Sequence, residues 1–219
     1  MMRGANWPSS RQSTVRKIGS NNLIICCGEQ TEVNFFEKVC SEIKRKDKTN
    51  VNLNFDIIPN PVTPLQMTQD IEKQCLIAQR NSRPYQDVWV VFDKDDFEKD
   101  NFDNAISKLE KMSCARCHAL WSNECIELWF LLHFEYLTAD ISRKQYREKL
   151  TRYLGEQYEK NNPHIISKIL EKKGKISNAI SNADKLLTLH KGKSYSNMKP
   201  ATNMGEFFKK YLKYLEDMK

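Results

Sequence analysis

The sequence predicts an α/β fold built on a mainly parallel sheet with helices on both faces. Residues 23–27 and 87–92 are short, nearly continuous apolar runs, the pattern of strands buried on both sides. Helical spacing follows each strand, and the two signals alternate four times before residue 138. Beyond that point the pattern is helical and basic throughout.

The elements follow in order. Leu23-Ile24-Ile25-Cys26-Cys27 ends at Gly28, and Thr31 is placed to cap a helix reaching about Lys46, with Val33, Phe36, Val39, Cys40 and Ile43 at helical spacing. Residues 51–58 alternate apolar with polar, as a half-buried strand does, and Pro59 and Pro61 close it. Thr63-Pro64 opens a helix to about Arg80, cap first and proline at the first helical position. Asp87-Val88-Trp89-Val90-Val91-Phe92 is the strongest strand signal and ends on Asp93. A helix over about 103–112, a strand over about 115–121 and an all-round apolar, hence buried, helix over 125–134 complete this part. Helices are expected near 142–159, 164–172, 176–190 and 203–218, separated by Gly174, Gly192 and Pro200. The chain thus divides into a flexible basic arm (1–20), an α/β core (21–137) and a helical C-terminal extension (138–219).

At 219 residues the chain is long enough to bury a core without disulfides or metal staples. Seven cysteines without regular spacing suit a reducing compartment. The first twenty residues lack the apolar stretch of a secretory signal, and no run is long enough to span a membrane. The expectation is a cytoplasmic protein without a membrane partner. Cys114-Ala115-Arg116-Cys117-His118 matches the spelling of a haem-attachment site, but it runs into a strand, and a zinc site would need a second Cys/His pair. Net charge is +7, unevenly spread. Residues 1–20 carry four basic and no acidic side chains, and 141–219 carry 18 basic against 8 acidic, leaving 13 basic against 20 acidic in 21–140. An acidic core between basic flanks suits a metal-dependent enzyme acting on a polyanion, although lysine-rich helices are also simply well solvated.

In parallel sheets, ligands gather at the carboxyl ends of strands. One strand here runs into Gly28-Glu29-Gln30-Thr31-Glu32, and another into Asp93-Lys94-Asp95-Asp96. Carboxylates two apart at a strand end can turn toward one point, where a hard divalent cation takes oxygen ligands. Each motif alone is weak, since acidic turns are usually just solvated. A third segment, Ser122 to Phe134, places Asn123 and Glu127 four apart, as on one helix face. A carboxylate beside so apolar a helix needs a metal, a substrate or a basic partner. His133, deeper in that helix, reads more readily as a core histidine.

Residues 23–32, 88–96 and 122–134 together resemble the RloB family, which includes AbiLii-type abortive-infection proteins. A weaker likeness covers residues 197–208, with Pro200 and Thr202. The resemblance implies a Toprim-like fold, the domain shared by topoisomerases, primases and OLD-type nucleases. It places Asp93 and Asp95 on a metal-binding Asp-x-Asp, Glu32 on the second glutamate of a Glu-Gly-x-x-Thr-Glu pattern, and Glu127 and His133 on a third motif. It also implies a role in phage defence beside a partner ATPase of the AAA or ABC/SMC kind. The first glutamate of the family pattern falls on Cys27, which is no hard-metal ligand, so Glu29 or Glu32 would have to take its place.

The leading expectation is a nuclease using Mg2+ (or Mn2+) on DNA or RNA, including tRNA. Asp93, Asp95 and Glu32 would hold the metal, with Glu29 and Glu127 as further catalytic carboxylates and Lys94, Asn123 and His133 toward the substrate. Tyr146, Tyr153, Tyr158 and Tyr195, set among basic residues, could stack on bases, although their helical spacing suits packing. The competing expectation is a catalytically weakened subunit that docks on the ATPase, which Cys27 favours. Nucleotidyl transfer is a third. No Gly-x-x-x-x-Gly-Lys loop occurs, so ATP hydrolysis would belong to the partner. A homo-oligomer is compatible with all of these.

Overall fold

A computed structural model describes residues 19–48 and 52–215. All but the last two residues of the expected basic arm lie outside them. Four parallel strands, β1 (Ser20–Cys26), β2 (Leu53–Pro59), β3 (Asp87–Asp93) and β4 (Arg116–Asn123), form a sheet in the order β2-β1-β3-β4. Helices α1 (Thr31–Lys46), α2 (Pro64–Arg80) and α3 (Lys99–Leu109) are the crossovers. The fold is therefore the expected α/β type, a mostly parallel sheet flanked by helices.

The strand alternation decides which side chain meets which layer. Ile24, Cys26, Trp89, Val91 and Leu120 face one side and pack with α1 and the C-terminal helices. Leu23, Ile25, Val88, Val90 and Phe92 face the other and pack against α2 and α3. Both faces are covered, which explains why β1 and β3 read as continuous apolar runs.

One helix start falls where the sequence places it, and other starts and stops do not. Thr63 caps α2 with a full capping box, accepting from the Gln66 amide while the Gln66 side chain accepts from the Thr63 amide. Thr31, by contrast, caps nothing: it is the first helical residue, and its hydroxyl donates 2.8 Å to Asn161 Oδ1. The helix expected at 103–112 starts four residues earlier. The one expected at 142–159 stops at α5 (Arg143–Leu154), because Gly155 takes the left-handed conformation at φ 69°.

α4 (Glu127–Leu132), the expected buried helix, is short and wholly buried. α6 (Ile165–Glu171), α7 (Ile176–Leu189) and α8 (Gly205–Leu215) follow. Pro200 does more than separate two helices. It precedes β5 (Ala201–Thr202), which pairs antiparallel with β4 and completes a five-stranded sheet. α8 then returns across the sheet. Its Phe207 meets Trp89 at 5.1 Å and Phe36 at 5.1 Å between ring centroids, both edge-on.

A charge cluster fastens α8 at the amino ends of the strands. The buried Asp87 carboxylate accepts from Arg116 (3.1 and 2.8 Å), from Lys210 of α8 (2.6 Å) and from His118 (2.9 Å). His118 stacks on Trp89 at 4.0 Å, and Lys210 lies over the same ring. Although burial opposes ionisation of Asp87, hydrogen bonds from His118, Arg116 and Lys210 prevail and hold its pKa well below the aspartate range. A depressed carboxylate stabilises the fold above the unfolded-state pKa and ceases to do so as pH falls through its own low value. Asp87→Asn is therefore expected to cost about 2 kcal/mol at pH 7, less than a fully buried pair because its partners are partly exposed. Urea denaturation at pH 7 and pH 3 checks this: the difference between the proteins should shrink at the lower pH.

Candidate functional site

The chain leaves β1 toward β2 on one side and arrives at β3 on the other, so the carboxyl ends of β1 and β3 flank a topological switch point. A cleft of about 760 Å³ opens there. The turn after β1 lines it with Cys27, Gly28, Glu29, Gln30, Thr31 and Glu32. The β2–α2 turn adds Thr63 and Gln66, and β3 ends in it with Asp93. The fourth wall is the α5–α6 loop, which supplies Lys160 and Asn161.

Glu32 and Asp93 are the acidic centre of the cleft. Glu32 is buried on the first turn of α1, and its carboxylate lies against Gly28 so closely that a Cβ there would fall 1.8 Å from Oε2. Glycine at 28 is what admits the carboxylate. Asp93 Oδ2 accepts 3.0 Å from the Ile126 amide. Burial first, then the charges of Glu32 and Glu127, push the Asp93 pKa well above the ordinary range, against the Ile126 bond and Lys160. Burial likewise raises Glu32, with a contribution from Glu127; its own backbone N–H and Lys160 oppose the rise. These acids repel one another in a poorly solvated place, the condition that a proton or a cation relieves.

The other expected site residues are distributed differently. Glu29 is exposed at the rim. Asp95 borders the cleft, but its carboxylate is ion-paired with Arg143, which also holds Glu124 at 3.1 Å. Lys94 turns back to the carbonyls of Phe97 and Asp95 and does not line the cleft. Glu127 stands behind the cleft wall, 3.4 Å from the Tyr158 hydroxyl and 3.5 Å from Arg147 Nε.

Asn123 and Glu127 do not share a helix face, because β4 runs through Asn123 and α4 starts only at Glu127. The Asn123 amide donates 3.0 Å to the Ser196 carbonyl instead. His133 is fully buried at the end of α4, with Nδ1 2.9 Å from the Trp129 carbonyl, and burial lowers its pKa to about 4. It is a neutral core histidine. The four tyrosines are also engaged: Tyr146 and Tyr158 are buried, Tyr153 stacks on Phe134, and Tyr195 packs on Trp121.

Cys27 lines the cleft as a thiol. Its Sγ donates 3.0 Å to the Val62 carbonyl, and burial, with Glu32 and Asp93 nearby, pushes its pKa up to about 12. Neither a thiolate ligand nor a nucleophile is available there near neutral pH.

Sequence reasoning missed Lys160 and Asn161. Asn161 pins the loop to α1: it accepts from Thr31 and donates 2.8 Å to Gln30 Oε1, while Asn34 donates 3.0 Å to its carbonyl. The signal was present in Gly155 and in Asn161-Asn162-Pro163, a turn-rich stretch. Its destination, more than 120 residues away in sequence, was not.

Among the described residues no set of three or more His, Cys, Asp or Glu side chains is arranged to hold a metal ion. A magnesium ion needs no such cage, since it commonly binds through one or two carboxylates plus water and substrate phosphate. Glu32 and Asp93, two hard oxygen donors facing an open cleft, fit that mode. They do not fit a closed structural zinc site.

Fold and cleft together define an α/β protein with an acidic site at the switch point of a mostly parallel sheet. A family model for the RloB-like protein matches residues 22–210, and the chain belongs to the RloB-like family. No curated protein and no solved structure gives a significant match. No helix among the described residues is long and apolar enough to cross a membrane.

The raised carboxylates carry a pH dependence. A carboxyl whose folded pKa exceeds its unfolded value binds a proton the unfolded chain has already released. Stability therefore falls as pH rises from the ordinary carboxylate range through the raised values. In metal-free protein, Asp93→Asn should raise the melting temperature at pH 8 by about 2–4 °C for each kcal/mol of repulsion removed. The gain should fade toward pH 4, as scanning calorimetry in chelator would register.

Proposed function

We propose that this chain is a phage-defence effector of the abortive-infection kind, and that its cleft, Toprim-like in plan, cleaves phosphodiester bonds in DNA or RNA with Mg2+ (or Mn2+). The observation that carries the reading is that Glu32, on the first turn of α1, and Asp93, at the end of β3, line one cleft with raised pKa values, Lys160 lining the same cleft. Asp93 and Glu32 would hold the cation, and Asp95 would join them on release from Arg143. The bound ion would supply charge stabilisation to the phosphoryl oxygens and acidify a water.

The protein's own groups do the rest. Glu29 at the rim takes a proton from the attacking water, as does Glu32 where it is not itself bound to the cation. Lys160 donates to a non-bridging phosphate oxygen, a position sequence reasoning had offered to Lys94. Glu127, held by Tyr158 and Arg147, keeps the wall behind Asp93 negative. A partner ATPase of the AAA or ABC/SMC type would control access, and nucleic acid would be the substrate.

A second reading is a catalytically weakened subunit that works by docking on that ATPase. It is favoured by the protonated Cys27 in place of a family glutamate and by the ion pair that occupies Asp95.

Calorimetric titration of Mg2+ and Mn2+ into the protein and into the Asp93→Ala/Asp95→Ala variant separates the two. Binding that is lost in a folded variant supports the nuclease and directs a cleavage screen to DNA and tRNA. Absence of binding by the wild type, with nucleic acid present, removes the nuclease reading. Cys27→Glu, which adds a carboxylate beside Glu32 and Asp93, is expected to tighten Mg2+ binding by about tenfold, equivalent to about 1.4 kcal/mol. A variant that melts like wild type yet binds no better would show that position 27 has no part in metal binding.

A further inference from the structure

The stretch Cys114 to His118 acquires a third member in the fold. β4 presents Cys117 to the sheet face covered by α2 and α3, where Cys75 of α2 packs in the same apolar cluster. Cys114, in the turn before β4, stands three residues before Cys117 in Cys-x-x-Cys spacing, and its sulfur interacts electrostatically with both thiols. The three are reduced and graded in access: Cys75 is buried, Cys117 half-buried and Cys114 exposed. They lie toward the amino ends of the strands, whereas the acidic cleft is at the carboxyl ends.

No metal geometry organises these sulfurs, as noted above for the described residues. The environment separates their roles instead. Burial, followed by Cys114, pushes the Cys117 thiol up to about 12, and burial with Cys114 likewise raises Cys75. Those two do not ionise readily, which leaves the solvent-facing Cys114 as the sulfur an external reagent meets. Part of the rise in its neighbours comes from Cys114 itself and disappears once its sulfur is capped and neutral.

We propose that Cys114, Cys75 and Cys117 form a thiol–disulfide exchange site whose oxidant is a low-molecular-weight disulfide, RSSR. The Cys114 thiolate attacks one sulfur of RSSR, forming Cys114–S–S–R and releasing RS⁻, which takes up a proton. Cys75 or Cys117 then loses its proton to water and attacks the Cys114 sulfur, expelling the second RS⁻, which takes up a proton in turn. Two protein thiols become one disulfide while RSSR is reduced to two RSH. Closure through Cys75 ties α2 to the entry of β4. The other end of α2 carries Thr63 and Gln66 to the acidic cleft, so the crosslink fixes a helix that borders both sites.

The test uses the full chain, reduced and desalted, then exposed to oxidised glutathione, alkylated, digested and mapped by mass spectrometry. The expected result is the loss of two free thiols and a linked pair joining Cys114 to Cys75 or to Cys117; tryptic cleavage after Arg116 separates Cys114 from Cys117. Cys114→Ser should abolish the crosslink. Cys75→Ser with Cys117→Ser should leave Cys114 as a stable mixed disulfide, accumulating roughly tenfold above wild type. Thermal melting of the variants verifies that they fold. Seven free thiols after exposure, a wild-type mixed disulfide that never resolves, or a crosslink confined to Cys26, Cys27, Cys40 or Cys125 would overturn the proposal.

Discussion

Two carboxylates that line one cleft, Glu32 on the first turn of α1 and Asp93 at the end of β3, are the constraint on which the site depends. Glu32 reaches its place only because Gly28 has no side chain, and Asp93 is oriented by one backbone amide. Among the described residues neither is joined in an ion pair, and Glu127 adds a further carboxylate behind them. A fold tolerates such crowding where a ligand, a proton or a cation relieves it, and that is the ground for proposing chemistry in this cleft.

β3 provides its own control, because it begins and ends with aspartate. Asp87 meets Arg116, His118 and Lys210 and is held ionised; Asp93 meets carboxylates and is driven toward protonation. The first is a structural clamp that fastens α8 across the sheet. The second is open to a cleft. The same residue type on one strand acquires opposite roles from its neighbours, and much of the basic character of the C-terminal half is committed to such internal pairing. Lys149 with Glu135, Lys168 with Glu156, Lys209 with Asp184 and Lys199 with both Glu124 and Asp140 are further cases.

Cys27 and Asp95 stand at two positions where the resemblance in sequence implied metal ligands. Cys27 is a thiol hydrogen-bonded to a carbonyl, and Asp95 is turned to Arg143, so both are otherwise engaged. What remains in the cleft is Glu32, Asp93, Glu29 at the rim and the cation of Lys160.

Local sequence pattern was enough for the α/β plan, the four parallel strands, the Thr63 cap, and the placing of Asp93 at a strand end and Glu32 just beyond another. These follow from apolar runs, helical spacing and turn residues, all of which act over a few neighbours. It did not determine β5, because two residues after a proline carry no periodicity. Nor did it determine the loop that brings Lys160 and Asn161 to α1, since that contact joins positions more than 120 apart. Only the tertiary structure turned Lys94 and Asn123 away from the cleft, gave Asp95 to Arg143 and buried His133 as a neutral core residue. Those outcomes depend on which charges and carbonyls arrive from distant segments, and a strand-end pattern contains no information about them.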